Sequence, residues 1–441
     1  MDRPLPQEER DKTQPFVTAA LIYTLVTVVC LFVTGRERLA AHSPYNHFAL
    51  LAESWIHGRF DLGGPPPPHT GNNDFAVFQD KYFVSFPPFP AVLIAPLVAL
   101  VGNAERVHDV QFFSLFSGVA PALLFLGLEA LSKAGRSGRS TRDNTLLATL
   151  FAFGTVYFYS SVQGSVWFVA HVIGAALAAL YVYASVEARH PVVAGLSLAL
   201  GFATRTPIGF AFPLFLYEAV RASTDARDDE RPIKLADIQL RSLAAKLALF
   251  ALPALTVLSV LLWYNARRFG DPFEFGHRLL AIAWRARIEK WGLFSYHYLG
   301  KNLGVMLSSL PYTNVVGAPF QINAHGLALW VTSPFYLWLL WPRQTSATFW
   351  IFLLTTACVA LPSLLYQNSG WIQFGYRFSN DYAVFLFTLL ALGKRRFDRA
   401  FYGAALFALV VNAFGAITFQ RGAYNRFYFI DNTQKILHQP D

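Results

Sequence analysis

Charged residues are scarce in this sequence of 441 amino acids: they make up 14% of it, whereas 54% is hydrophobic. A soluble domain normally carries about a quarter charged residues. The deficit is uneven, because long stretches carry no charge and the charges gather in short clusters between them. Hydrocarbon rejects unpaired backbone and charge, so the pattern reads as an all-α polytopic membrane protein. Cysteine is scarcer still. Cys30 and Cys358 both sit in apolar stretches, which argues against a disulfide framework, and no zinc-type spacing occurs. Internal repeats are missing. The proline tract 65–68 is the only low-complexity segment and reads as a stiff polyproline II spacer. The net charge of +9 would suit nucleic acid, but the basic residues lie in short loops between apolar segments. That placement fits membrane topology and anionic lipid headgroups, not a nucleic-acid partner.

Eleven apolar segments read as spans: 16–34, 110–131, 145–162, 165–187, 191–204, 207–220, 245–264, 325–341, 347–365, 382–393 and 400–418. The first is taken as a retained span, because the run is too long for a signal h-region. The pair 191–204 and 207–220 breaks at Arg205 and Pro207, giving either two short helices or one kinked helix. Three loops are rich in basic residues: Lys133, Arg136, Arg139 and Arg142; then Arg221, Arg227, Arg231, Lys234 and Arg241; then Lys394, Arg395, Arg396 and Arg399. One topology places all three in the cytoplasm, with the N-terminus inside and the C-terminus outside. It requires the short, proline-containing stretch 89–103 to be a re-entrant or juxtamembrane helix. The whole chain, 1–441, is then one transmembrane domain in the plasma membrane. Its first and fourth outer loops, 35–109 and 265–324, are large, and a smaller one covers 366–381.

The first outer loop carries the most information. Phe48, Leu51, Ala52, Trp55 and Ile56 recur at helical spacing, which predicts an amphipathic helix over 46–58 in the interface. The run from Asn73 to Phe83 alternates about a turn at Gln79-Asp80, and Phe86-Pro87-Pro88-Phe89-Pro90 opens the apolar half-helix. Three signatures follow one another here: His57-Gly58-Arg59-x-Asp61-Leu62, then Asp74-x-Ala76-x-Phe78-x-x-Lys81-Tyr82, then the proline run. Later come Tyr264-Asn265, the stretch 268–276 and the stretch 370–381. In this order they resemble bacterial members of the GT-C glycosyltransferase superfamily, relatives of protein O-mannosyltransferases and lipid A aminoarabinose transferases.

The resemblance implies a GT-C-like fold and transfer of a sugar, with inversion, from a polyprenyl-phosphate donor on the outer face. The acceptor would be a glycan, a lipid or a protein. Such chemistry needs an acid to activate the acceptor and cations to hold the leaving phosphate. Asp74 is the first candidate for the acid and Glu53 the second; the plainer reading of Asp74 is a loop turn or cap. Arg377 is the first candidate for the phosphate, followed by Arg205 and Lys81. The plainer reading of Arg205 is an ion pair with Asp109. Asp381 reads as the partner of Arg377, and Glu274, His277 and Tyr82 as supporting residues. His171, beside Trp167, reads as a core histidine. Many relatives carry an acid just after the first span, where this chain has Tyr45-Asn46-His47. No cofactor is implied. Some superfamily members hold a divalent metal with several acids, and the acids here leave a metal open. Two other readings stand beside the enzyme: a transporter of a lipid-linked sugar, and an inactive protein of the same fold.

Overall fold

A computed structural model describes residues 7–71, 74–224, 233–282, 284–313, 315 and 317–428. Its helices in chain order are α1 (Gln7–Leu39), α2 (His47–Ile56), α3 (Phe89–Val101), α4 (Asp109–Ser114), α5 (Val119–Lys133), α6 (Thr141–Phe153), α7 (Tyr157–Ser161), α8 (Val166–Ser185), α9 (Pro191–Phe202) and α10 (Phe212–Arg221). They continue as α11 (Leu240–Phe269), α12 (Arg285–Trp291), α13 (Leu299–Ser308), α14 (Leu329–Thr332), α15 (Ala347–Leu365), α16 (Ala383–Leu392) and α17 (Arg399–Thr418). Strands β1 (Phe75–Phe78) and β2 (Lys81–Val84) form an antiparallel hairpin.

Among the described residues, six helical stretches are long and apolar enough to cross a membrane: Thr13–Leu39, Asp109–Lys133, Val166–Ala188, Leu240–Phe269, Ala347–Leu365 and Arg399–Thr418. The helices α3, α9 and α16 are apolar but shorter. The chain is a multi-pass membrane protein by this measure. Burial separates two kinds of span. α8 is enclosed almost throughout by neighbours that include α5 and α9. α11 instead exposes Leu252, Leu255 and Val260, a surface suited to lipid. At Gly195 of α9 a Cβ would meet the Phe250 carbonyl of α11 at 2.0 Å, so only glycine allows this helix approach.

The stretch 191–204/207–220 is two helices, one of the two arrangements expected, with a 3-10 turn (Thr206–Ala211) entering the second. Other expectations change. The stretch 145–162 breaks between α6 and α7, after Gly154. The stretch 325–341 is not a continuous span: four residues of α14 are followed by a 3-10 helix, Pro334–Leu340. Pro334 lacks an N–H and pushes Ser333 out of the helical region. The helix predicted at 46–58 exists as α2, but its residues from His47 to Ala52 are all buried, so it packs into the protein instead of presenting a free polar face.

The hairpin forms as its alternation predicts. Gln79 and Asp80 both take positive φ, 49° and 57°, the pairing a two-residue type I′ turn needs. α3 starts where Pro87-Pro88 ends and stops at Gly102 in the left-handed region. Its 13 residues reach only about 20 Å, short of a bilayer core of about 30 Å.

The three basic loops converge at one end of the bundle. Arg136 forms a buried pair with Glu218 at the end of α10. Arg139 donates to the carbonyls of Leu390 and Arg395 and lies 3.9 Å over the Phe397 ring. Arg227 and Arg231 lie outside the described residues. The C-terminal end of α8 joins this cluster, for the Glu187 N–H donates to Glu218. Its 20 residues therefore separate the basic end from whatever gathers at Trp167 and His171 by roughly 25–30 Å.

Candidate active site

Trp167 and His171 stand one helical turn apart on α8, so they share a face. Each holds a carboxylate from a distant part of the chain. The Trp167 indole Nε1–H donates to Asp74 Oδ2 at 2.8 Å. His171 Nδ1 lies 3.0 Å from Asp381 Oδ1. A carboxylate only accepts, so this nitrogen carries the proton.

Asp74 sits just before β1 with φ +61°, a left-handed residue at the entry of the hairpin. Its carbonyl accepts from Ser85 Oγ, so the turn reading of Asp74 is present as well. Around its Trp167 partner stand Tyr45, His47 and Phe86, with ring centroids 4.5, 6.4 and 6.4 Å away. Burial pushes the Asp74 carboxyl above the ordinary carboxylate range, partly opposed by the Trp167 hydrogen bond and by Arg377.

Asp381 lies in the 3-10 turn Arg377–Asp381 and is 1% exposed. Arg205, between α9 and α10, grips it with two bonds, Nε to Oδ1 at 2.9 Å and Nη2 to Oδ2 at 2.6 Å. Burial raises the Asp381 carboxyl, but Arg205 and His171 outweigh it and hold it down at about 2. Two expected pairings are thereby corrected. Arg205 pairs with Asp381 and not with Asp109, which accepts from the backbone N–H and hydroxyl of Ser43. Asp381 serves Arg205 and not Arg377. Gly174 of α8 makes room for the arginine, since a Cβ there would meet Arg205 Cγ at 2.9 Å.

Arg377 is buried, and among the described residues no carboxylate forms an ion pair with it. Its Nη1 makes a long bond to the Ile372 carbonyl, and the guanidinium lies 5.3 Å from the centroid of Phe168 and 5.8 Å from that of Phe378. Its Nε has no partner among the described residues. Burial lowers its pKa to about 10; Arg205 acts in the same direction, while Tyr159 and Asp74 oppose it. An arginine held this way has charge to give to a ligand.

The remaining candidates are less central. Glu53 of α2 makes no side-chain bond among the described residues, though its carbonyl accepts from His57. Lys81 is exposed and pairs with Asp61 at 3.4 Å. The Tyr82 carbonyl accepts from the Leu62 N–H. Glu274 caps the Gly276 N–H and pairs with Arg278 at 3.3 Å. His277 stands edge-on to Phe86, and burial and Arg205 push its imidazole down to about 4. Among the described residues no three His, Cys, Asp or Glu side chains group as metal ligands. Sequence reasoning read His171 as a core histidine, and the structure places it, buried, against Asp381. The signal was there in the Trp-x-x-x-His spacing, two polar-edged rings on one face of an otherwise apolar helix.

Solved structures share this fold. The Archaeoglobus fulgidus oligosaccharyltransferase in the apo form matches with a TM-score of 0.51 and 13% identity, over 92% of this chain and 55% of its own. The same enzyme tethered with an acceptor peptide containing the NVT sequon matches with a TM-score of 0.50 and 14% identity, over 93% of this chain and 55% of its own. The chain thus spans about half the length of the oligosaccharyltransferase. It shares the fold of the part of that enzyme it matches. No protein-family model and no curated protein sequence matches it. At these identities the likeness is one of fold, and function must be argued from the site.

Proposed function

We propose that this chain is a membrane glycosyltransferase that moves a sugar, with inversion, from a polyprenyl-phosphate donor to an acceptor on the extracytoplasmic face. The observation that carries the reading is the gathering, at one face of α8, of two carboxylates from distant loops, Asp74 on Trp167 and Asp381 on His171, with Arg205 gripping Asp381 and Arg377 near enough to Asp74 to act on it electrostatically. Asp74 activates the acceptor hydroxyl, and its raised pKa suits a general base. Arg377 holds the donor phosphate and stabilises the charge that develops as the sugar leaves. Asp381 is a positioning residue that fixes Arg205 beside them. Eleven crossings, with α3 re-entrant, put the basic loops in the cytoplasm and this site outside. The acceptor is a glycan, a lipid or a protein, and the peptide bound by the archaeal enzyme makes a protein acceptor worth including in the assay.

One observation favours the inactive reading. Asn46, where many relatives carry an acid, is a buried amide whose Oδ1 lies 3.1 Å from His69 Nε2. Transfer of radiolabelled sugar from a polyprenyl-phosphate donor by the purified protein decides between them.

Side and clamp are tested separately. In a background without Cys30 and Cys358, Gly138→Cys and Ala281→Cys both place a thiol at an exposed position. An impermeant maleimide applied to intact cells is expected to label residue 281 and not residue 138; the reverse pattern would invert the topology. Arg377→Lys keeps the charge but loses the forked geometry. It is expected to weaken donor binding several-fold, and Arg377→Ala by roughly tenfold or more, the scale of a charge-assisted hydrogen bond. Unchanged binding in Arg377→Ala would remove this residue from the donor site.

A further inference from the structure

Around Asp381 the structure leaves buried polar atoms without partners. His171 is 1% exposed, and its Nε2 makes no hydrogen bond among the described residues. Tyr376 is fully buried, and its Oη makes none. The phenol stands close enough to Asp381 and Arg205 for both to act on it electrostatically. A buried polar group without a partner is unfavourable, so such atoms in a site point to a ligand that supplies one.

The chemistry narrows that ligand. Asp381 takes the Nδ1–H of His171, so the neutral imidazole presents a lone pair at Nε2. A lone pair needs a donor. The phosphodiester of a polyprenyl-phosphate sugar has no O–H and cannot serve, whereas every hydroxyl of a sugar can. Tyr376 Oη both donates and accepts, which also suits a hydroxyl. The Nδ1–H bond to Asp381, itself held by Arg205, fixes the His171 ring before anything binds.

We propose that His171 Nε2 accepts a hydrogen bond from a hydroxyl of the sugar that is transferred, with Tyr376 Oη as a second contact to the same sugar. His171 and Tyr376 then set sugar preference, separately from the arginine that grips the phosphate. This inference rests on the donor reading above.

The test uses the full chain in detergent micelles and measures binding by native mass spectrometry. The probes are bare polyprenyl phosphate, the same lipid bearing a hexose, and the same lipid bearing a pentose. The readout is the ratio of sugar-bearing to bare lipid affinity. The parent is expected to prefer at least one sugar form. His171→Asn keeps an N–H near the Nδ1 position to hold Asp381, yet has nothing at the Nε2 position. It is expected to reduce the preference roughly tenfold, a typical loss for one buried hydrogen bond. Tyr376→Phe removes a hydroxyl that has no partner among the described residues, so the fold should persist, and it is expected to reduce the preference several-fold. If His171 only held Asp381 in place, His171→Asn would leave the ratio unchanged. An unchanged ratio in a variant that melts like the parent, or in Tyr376→Phe should His171→Asn fail to fold, overturns the inference and leaves the donor reading intact. A parent that binds no polyprenyl phosphate in any form overturns the donor reading, and this inference with it.

Discussion

Asp74→Asn is expected to cut turnover about a hundredfold or more while donor binding survives, because a positioned general base contributes about that much. The amide keeps the shape of the carboxylate and can still accept from Trp167 Nε1, so the hairpin entry and the Trp167 contact persist. What is lost is the ability to take a proton. The pH profile gives a second readout. Burial holds the Asp74 carboxyl above the ordinary range, so less of it is ionised at mildly acid pH than for an exposed aspartate. The acid limb of kcat/KM is therefore expected at a higher pH than an unperturbed carboxylate would give. Glu53→Gln is the matched control and is expected to matter little, since among the described residues the Glu53 side chain bonds to none of Trp167, Arg377 and Asp381. Full activity in Asp74→Asn with none in Glu53→Gln would exchange the two roles. Full activity in both would move the base to the second outer segment, where Asp271 and Glu274 are next to test.

The sequence made the local features of this site legible and left its long-range pairing hidden. Alternation about Gln79-Asp80 predicted the hairpin because turn and strand preferences are set within a few residues. Pro87-Pro88 marked the start of α3 for the same reason. The partner of Arg205 could not be read this way. Asp109 and Asp381 are both acids at span ends, and only packing shows that Asp381, 176 residues away, receives the guanidinium. Asp109 was already satisfied by Ser43. The partner of His171 was hidden for a related reason. A lone histidine in an apolar helix is usually a core residue, and its meaning changes only when a carboxylate is brought against it. The failure of 325–341 as a continuous span was more legible, because Pro334 stands inside it, but apolar composition masked the break.

Arg205→Met is expected to destabilise the protein by about 3 kcal/mol or more, the scale for removing one partner of a buried ion pair. The carboxylate of Asp381 is almost fully enclosed, and after the substitution only His171 would remain to it. The double variant Arg205→Met/Asp381→Leu removes both charges and is expected to recover part of that loss, since the desolvation penalty disappears with the pair. The pH dependence reverses sign between parent and single variant. In the parent the Asp381 carboxyl is depressed to about 2, so the stability it contributes is present above the unfolded value of about 3.9 and is lost as pH falls toward 2. In Arg205→Met the cation is gone and burial dominates. The folded state then favours the protonated carboxyl, so the variant gains stability as pH is lowered from 8 to 5, where the parent stays flat with respect to this group. Thermal melting in detergent at those two pH values, for the parent and both variants, reads all of this at once. Equal melting temperatures for the single and double variants would show that the Asp381 carboxylate is not stranded by the loss of Arg205. That result would place enough water or another cation beside Asp381 to break the link proposed between this pair and the site.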